Sequence, residues 1–347
     1  MARRVPAELR NERGTMRRMK RTVLAAAAAL VPALLVTPGV AEARDAVACT
    51  WTQATLAPPA GLAWGYVTAA ANGGWVAGSG STGGGIRWHN GVAEDLGRAF
   101  GLQIDLHDIN SVGTAVGATL ADSVERDAVV YRDGRFTALP VPPGRRSARA
   151  LAINDAGDVV GTALGLGDNF TLTLWPATAP GTVLTIDPDP AVYGYVSPVG
   201  IDEQGRILIR AEGSQTDFFV RYPDRTMTKL ALGTDSVSGF RNGRIAGEKY
   251  ENDEFKTVEW DLSGAIVRTL DTWVIEPAVD SGTRTAGTYL TADGGEALGV
   301  WDSGARTHTL ATSPSSGRLG GPVITDDGII ATTIGATPTT FRYSCPA

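Results

Sequence analysis

His107 and Asp108 stand side by side in an apolar stretch, and an imidazole next to a carboxylate can hold a ligand or an ordered water. The other two histidines, His89 and His308, lie far off in sequence. No pair has the three-residue gap that places two imidazoles on one metal, so zinc chemistry has no support. Asp155, Asp202, Asp280 and Asp326 form an acidic series, but each sits in a similar Gly-containing turn. Their expected role is to cap those turns through the side chain rather than to ligate a metal. A further acidic group, Asp122, Glu251, Asp253, Asp293 and Glu296, falls in polar segments that precede apolar strands. No nucleophile–base–acid constellation accompanies any of them.

The elements that must position these residues repeat about seven times, with a period near 43 residues. Trp88, Tyr131, Trp175, Tyr222, Trp260, Trp301 and Tyr343 recur at intervals of 38 to 47. All but the last are followed by a turn and a leucine: Leu96, Leu139, Leu184, Leu230, Leu270 and Leu310. Links such as Asn90-Gly91 and Asp133-Gly134 between apolar runs are hairpin signals. A second hairpin precedes each aromatic, most clearly in Ala150-Leu151-Ala152-Ile153-Asn154-Asp155-Ala156-Gly157-Asp158-Val159-Val160-Gly161. Each unit therefore reads as strand, turn, strand, loop, aromatic strand, turn, strand. Gly and Pro punctuate the chain too often for helices. The expected architecture is an all-β, seven-bladed β-propeller of four-stranded antiparallel blades, which hides sheet edges that a row of separate sheets would expose. In that frame the recurring tryptophans are core between blades. His107-Asp108 falls on an innermost strand near the central channel. The acidic group Asp122, Glu251, Asp253, Asp293 and Glu296 lies on one loop face.

The two cysteines, Cys49 and Cys345, bear on how such a ring ends. The last unit stops at Tyr343-Ser344-Cys345 and lacks its turn and outer strand, while residues 49–56 form a strand with no unit of its own. Placed beside Tyr343, that strand completes the last blade, with Leu56 in the place of Leu96 or Leu139. Cys49 and Cys345 then stand where other units have a hairpin turn, and a disulfide is expected between them.

Arg17, Arg18, Lys20 and Arg21 precede the apolar run Thr22 to Val36, and Ala41-Glu42-Ala43 follows. This is the layout of an export signal cleaved after residue 43, leaving one propeller domain over 44–347. The apolar run is short of the roughly 20 residues of a membrane span, and nothing later could span one in the mature form. The full chain has 31 basic and 37 acidic residues; without the eight basic and three acidic residues of 1–43 it carries a net charge of −11. That charge repels phosphate backbones and excludes nucleic acid as a partner.

Ile153-Asn154, Gly157 and Val159-Val160-Gly161, with Thr171-Leu172-Thr173-Leu174-Trp175 and Asp127-Ala128-Val129-Val130-Tyr131 filling the later strand, resemble the HAF-type extracellular repeat. The resemblance implies a secreted bacterial β-propeller. The family carries no accepted catalytic motif, so it transfers no site residues.

The functional expectation is a secreted, monomeric, non-catalytic binding module whose partner is an extracellular protein or glycan. The competing expectation is a carbohydrate-active hydrolase or lyase, with its site at the axis of the acidic loop face. No cofactor is expected, though hard carboxylates there could attract calcium.

Overall fold

Two-residue turns set the architecture. Asn90 and Gly91 have φ of +51° and +84°, and Asp133 and Gly134 have +52° and +77°. Positive φ at both central residues gives the turn whose twist matches paired strands, which is why Asn-Gly and Asp-Gly occur there. The computed structural model describes residues 49–121, 124–165, 169–189, 192–234, 236–313 and 319–345. The expected export segment, residues 1–43, lies outside them.

Among the described residues there is no helix; the strands form five four-stranded sheets and one eight-stranded sheet. In the four-stranded sheet that starts at Gln103–Ile109, sequence neighbours pair antiparallel through Ala115–Ala121, Val124–Arg132 and Arg135–Ala138. The eight-stranded sheet consists of two such groups, joined by the one parallel pair Phe170↔Tyr195. One sheet departs from sequence order. Thr50–Thr55 pairs antiparallel with Thr337–Ser344, next to Ile329–Ile334 and Val323–Ile324.

The core lies between successive sheets. Ala69, Ala77 and Leu96 meet Ile104, Leu106 and Tyr131. Leu208 and Phe218 meet Ile245 and Trp260 in the same way. Leu56 and Ala331 of the last sheet meet Val76, Ile86 and Trp88 of the sheet that begins at Gly65. Trp88, Trp260 and Trp301 have no exposed surface. At about 25 cal/mol per Å², a tryptophan burying on the order of 200 Å² contributes about 5 kcal/mol before entropy is charged.

The outer leucines carry a second regularity. Leu139 N donates to Ala128 O at 2.8 Å and Leu270 N to Thr257 O at 2.9 Å; Leu56 N donates to Pro338 O at 2.9 Å. After Leu139 and Leu56 the next residue accepts from the indole of the next unit: Trp175 Nε1 donates to Pro140 O at 2.8 Å, and Trp88 Nε1 to Ala57 O at 2.7 Å. The strand at 50–55 thus makes the bonds an outer strand makes elsewhere. Cys49 and Cys345 are joined by a disulfide, as expected.

Candidate functional site: a cavity at the first turns

A bulge shapes the first strand of five of the four-stranded groups. The register of the first strand slips between Val67 and Ala69, Leu106 and Asp108, Ala150 and Ala152, Pro198 and Gly200, and Val237 and Gly239. A bulge adds one residue, bends the strand and re-aims side chains. His107 is the added residue of its strand. The bulge also explains the glycine of the Val-Gly pairs. A Cβ on Gly117 would stand 2.0 Å from Asp105 O, and one on Gly161 would stand 1.9 Å from Arg149 O. No side chain fits there.

Beyond the bulges, the ends of seven first strands line one cavity of about 270 Å³. His107 and Asp108 line it, together with Asp155, Asp202, Glu203 and Arg241. The first turns around it are tied to one another. Asn110 Nδ2 donates to Asn154 O at 3.1 Å, and Asn154 Nδ2 to Asp202 O at 3.3 Å. The Ser111 amide donates to Asp155 at 2.8 Å, and the Asp155 amide to Glu203 at 2.8 Å. The acidic series thus divides. Asp202 accepts from the Gln204 and Arg206 amides of its own turn, and Asp280 does the same with Gly282 and Arg284. Asp155 and Asp326 sit one place later and accept from a neighbouring turn instead, Asp326 from the Ser281 amide at 2.6 Å. Asn110 and Asn154 take the capping role in their turns.

Asp108 is half-buried, and its two oxygens accept from the Ile109 and Ile153 amides, each at 2.8 Å. Burial pushes its carboxyl up to about 7, against the pull of those amides and of Arg241, and the Glu203 carboxylate adds to the rise. Glu203 is also raised, by partial burial first and by the Asp155 and Asp202 carboxylates, against the Asp155 amide and Arg241. His107 Nδ1 donates to Ala150 O at 2.7 Å, and its Nε2 lies 3.8 Å from Asp105. Arg241 is the one guanidinium among the described lining residues, and it is engaged by Asp326 at 3.0 Å. Burial would raise Asp326, but Arg241 and the Ser281 contacts hold it below the ordinary carboxylate range.

The other sequence candidates lie elsewhere. Glu251 and Asp253 are in the hairpin between Arg244–Glu251 and Glu254–Trp260, and Asp293 in the turn between Arg284–Leu290 and Glu296–Asp302. These hairpins close the second and third strands, so they are at the opposite end of their sheets from the first turns. Glu251 and Asp293 are held below the ordinary carboxylate range, by Lys249 and by Thr291 respectively. Glu296 accepts from the Leu319 amide at 2.9 Å. Asp122 lies outside the described residues. None of the described ones lines the cavity, whereas Glu203 and Arg241, which sequence reasoning left out of the site, do. Their only signal is position: each stands at or beside a first turn, where the acidic series also falls. Among the described residues no group of three His, Cys, Asp or Glu could hold a metal ion, and no helix is long and apolar enough to cross a membrane.

No protein-family profile matches the chain, and no curated protein is similar to it in sequence. Solved structures are similar in fold. Streptogramin B lyase superposes with a TM-score of 0.55 at 12% identity, covering 86% of this chain and 100% of that one. YCF48 from Cyanidioschyzon merolae gives 0.52 at 11%, covering 84% and 98%. A chain of the mitotic checkpoint complex gives 0.56 at 13%, covering 94% and 100%. The matched proteins are β-propellers, and this chain has that fold. At such identities the likeness speaks to fold alone, and a lyase and a checkpoint complex share it.

Proposed function

We propose that the chain is an exported bacterial propeller of the HAF-repeat kind, and that it works as a non-catalytic binding module. Its signal segment is cleaved after residue 43. Seven blades close into a ring because the strand at 50–55 serves as the outer strand of the last blade, with the Cys49–Cys345 bond at the seam. Support for closure comes from the packing of Leu56 and Ala331 on Trp88, and from seven first strands meeting at one cavity.

The bound group is a small cation, such as an ammonium or guanidinium at the end of a side chain or polyamine. One observation carries this reading. Asp108, Asp155 and Glu203 converge on a cavity where the one guanidinium among the described lining residues already belongs to Asp326. Above pH 7, where Asp108 is ionised, a cation entering there meets unbalanced negative potential in a partly desolvated space, where charge is worth more than in water. Titration calorimetry of the mature protein with agmatine and, separately, with citrate tests it. Binding of agmatine but not citrate, lost in Asp108→Ala, supports the assignment. Equal binding of both, or none of agmatine, rejects it.

The enzyme reading keeps one observation in its favour. Two carboxyls with raised proton affinity face the same cavity, as a general acid and its partner would. Against it, Phe240 is the only aromatic among the described lining residues, which leaves no platform for a sugar ring. Release of reducing sugar or unsaturated product from a polysaccharide panel, abolished by Glu203→Gln, would replace the binding reading with this one.

A further inference from the structure

The end of the propeller opposite the cavity at the first turns carries an aromatic cluster that the core does not use. Tyr250 and Phe255 are directly opposed across the hairpin Arg244–Glu251 and Glu254–Trp260. They are 60% and 51% exposed, with ring centroids 4.9 Å apart. Trp273, in the connection to the next sheet, stacks on Phe255 at 5.2 Å with 23° between planes. Scattered exposed apolar residues are ordinary, but three adjoining rings at a hairpin tip are not.

The rings are held in place. Asn252 and Asp253 have φ of +54° and +65°, which makes a tight two-residue turn and fixes the register of Tyr250 and Phe255. Trp273 Nε1 donates to Glu248 at 3.1 Å. The next residue is tied to the same sheet: the Val274 amide donates to Thr257 Oγ1 at 2.6 Å, and that hydroxyl lies 3.2 Å from Val274 O. A preformed surface of this kind loses little entropy when a ligand lands on it.

We propose that this cluster is a binding platform for a neutral polysaccharide. The face of an aromatic ring is its negative side, and it attracts the weakly positive C–H face of a pyranose. Hydroxyls at the sugar's rim need donors and acceptors, and charged groups interleave the rings: Lys249 and Lys256 lie 3.3 and 3.6 Å from Glu251. The core of a protein interface is instead depleted of charge. Around the hairpin Glu248, Glu251, Asp253 and Glu254 outnumber the two lysines. That excess repels uronic-acid and sulfated polymers and selects uncharged ones. This site is separate from the cavity at the first turns and stands or falls without it.

The experiment titrates the mature protein with cellohexaose, mannohexaose, chitohexaose and hexagalacturonate, followed by calorimetry and tryptophan fluorescence. The expected result is binding of at least one neutral hexasaccharide and none of the acidic one. Tyr250→Ala and Phe255→Ala each weaken it tenfold or more with an unchanged melting temperature, and Phe255→Tyr retains it. Absence of binding to all three neutral sugars, preference for hexagalacturonate, or undiminished binding in the double alanine variant overturns the proposal. Failure to bind sugar together with self-association that the double variant abolishes in sedimentation would make the patch a protein contact, which also overturns it.

Discussion

Arg241 Nε lies 3.0 Å from each carboxylate oxygen of Asp326, which is 85 residues further on and in a sheet that is not its neighbour in sequence. The sheet that starts at Ile275 intervenes, and its Ser281 amide donates to the same carboxylate at 2.6 Å. One carboxylate thus ties three first turns together. Arg241→Ala should remove the one cation among the described lining residues and leave Asp326 without its guanidinium partner. Agmatine affinity should then rise threefold or more, while stability falls by about 1–3 kcal/mol as a partly buried pair is broken. Calorimetry and denaturant melts read both; a loss of affinity would contradict the electrostatic account of the cavity.

Asp108 makes stability depend on pH in a defined direction. Its carboxyl sits near 7 in the folded chain and near the ordinary carboxylate value when unfolded. Between those values the folded state holds the extra proton, so this group's contribution to stability declines as pH rises from about 4 to about 7. The difference in melting temperature between the wild type and Asp108→Ala should therefore be larger at pH 4.5 than at pH 8. Charge–charge effects common to both proteins cancel in that difference. A difference that grows with pH would show that Asp108 is stabilised as an anion.

Glu259 is a buried hub. It is 1% exposed and accepts from Arg244 at 2.6 Å, Arg268 at 2.8 Å and Thr285 at 2.5 Å. Removing one member of such a network strands the others, so Glu259→Ala should destabilise by about 3–5 kcal/mol. Glu259→Gln keeps one acceptor and should cost less. Urea midpoints compare the two; equal effects would show that the lost charge, which both variants share, carries the whole cost, and a Glu259→Gln variant as stable as the wild type would show that the charge is irrelevant.

The seam is testable by itself. Cys49→Ser with Cys345→Ser should lower stability by about 2–5 kcal/mol. The strand at 50–55 should also become the first site of proteolytic cutting. An unchanged melting temperature and an uncut strand would mean that the pairing with Thr337–Ser344 alone holds the seam.

Local rules carried the fold into the sequence. Asn90-Gly91 must turn where it does because few other residues accept its backbone angles. Trp88 and Leu56 are spaced as they are because each unit buries the same contact. The disulfide followed from the same count. The site was less legible because its parts meet only in three dimensions. His107-Asp108 marked an inner strand, but the bulge that aims it depends on a glycine in the next strand. Asp155 looked like a turn cap, and one residue of phase makes it a link to the neighbouring turn instead. Glu203 and Arg241 had no pattern of their own. Tyr250 and Phe255 are close in sequence, but Trp273 reaches them from another segment.

The cation site has one decisive observation. Crystals of the mature protein grown with agmatine at pH 8 should show a guanidinium or ammonium group in the cavity at the first turns, in contact with Asp108 and Glu203. An unoccupied cavity under saturating agmatine, or agmatine seated on the opposite end of the propeller, would contradict it.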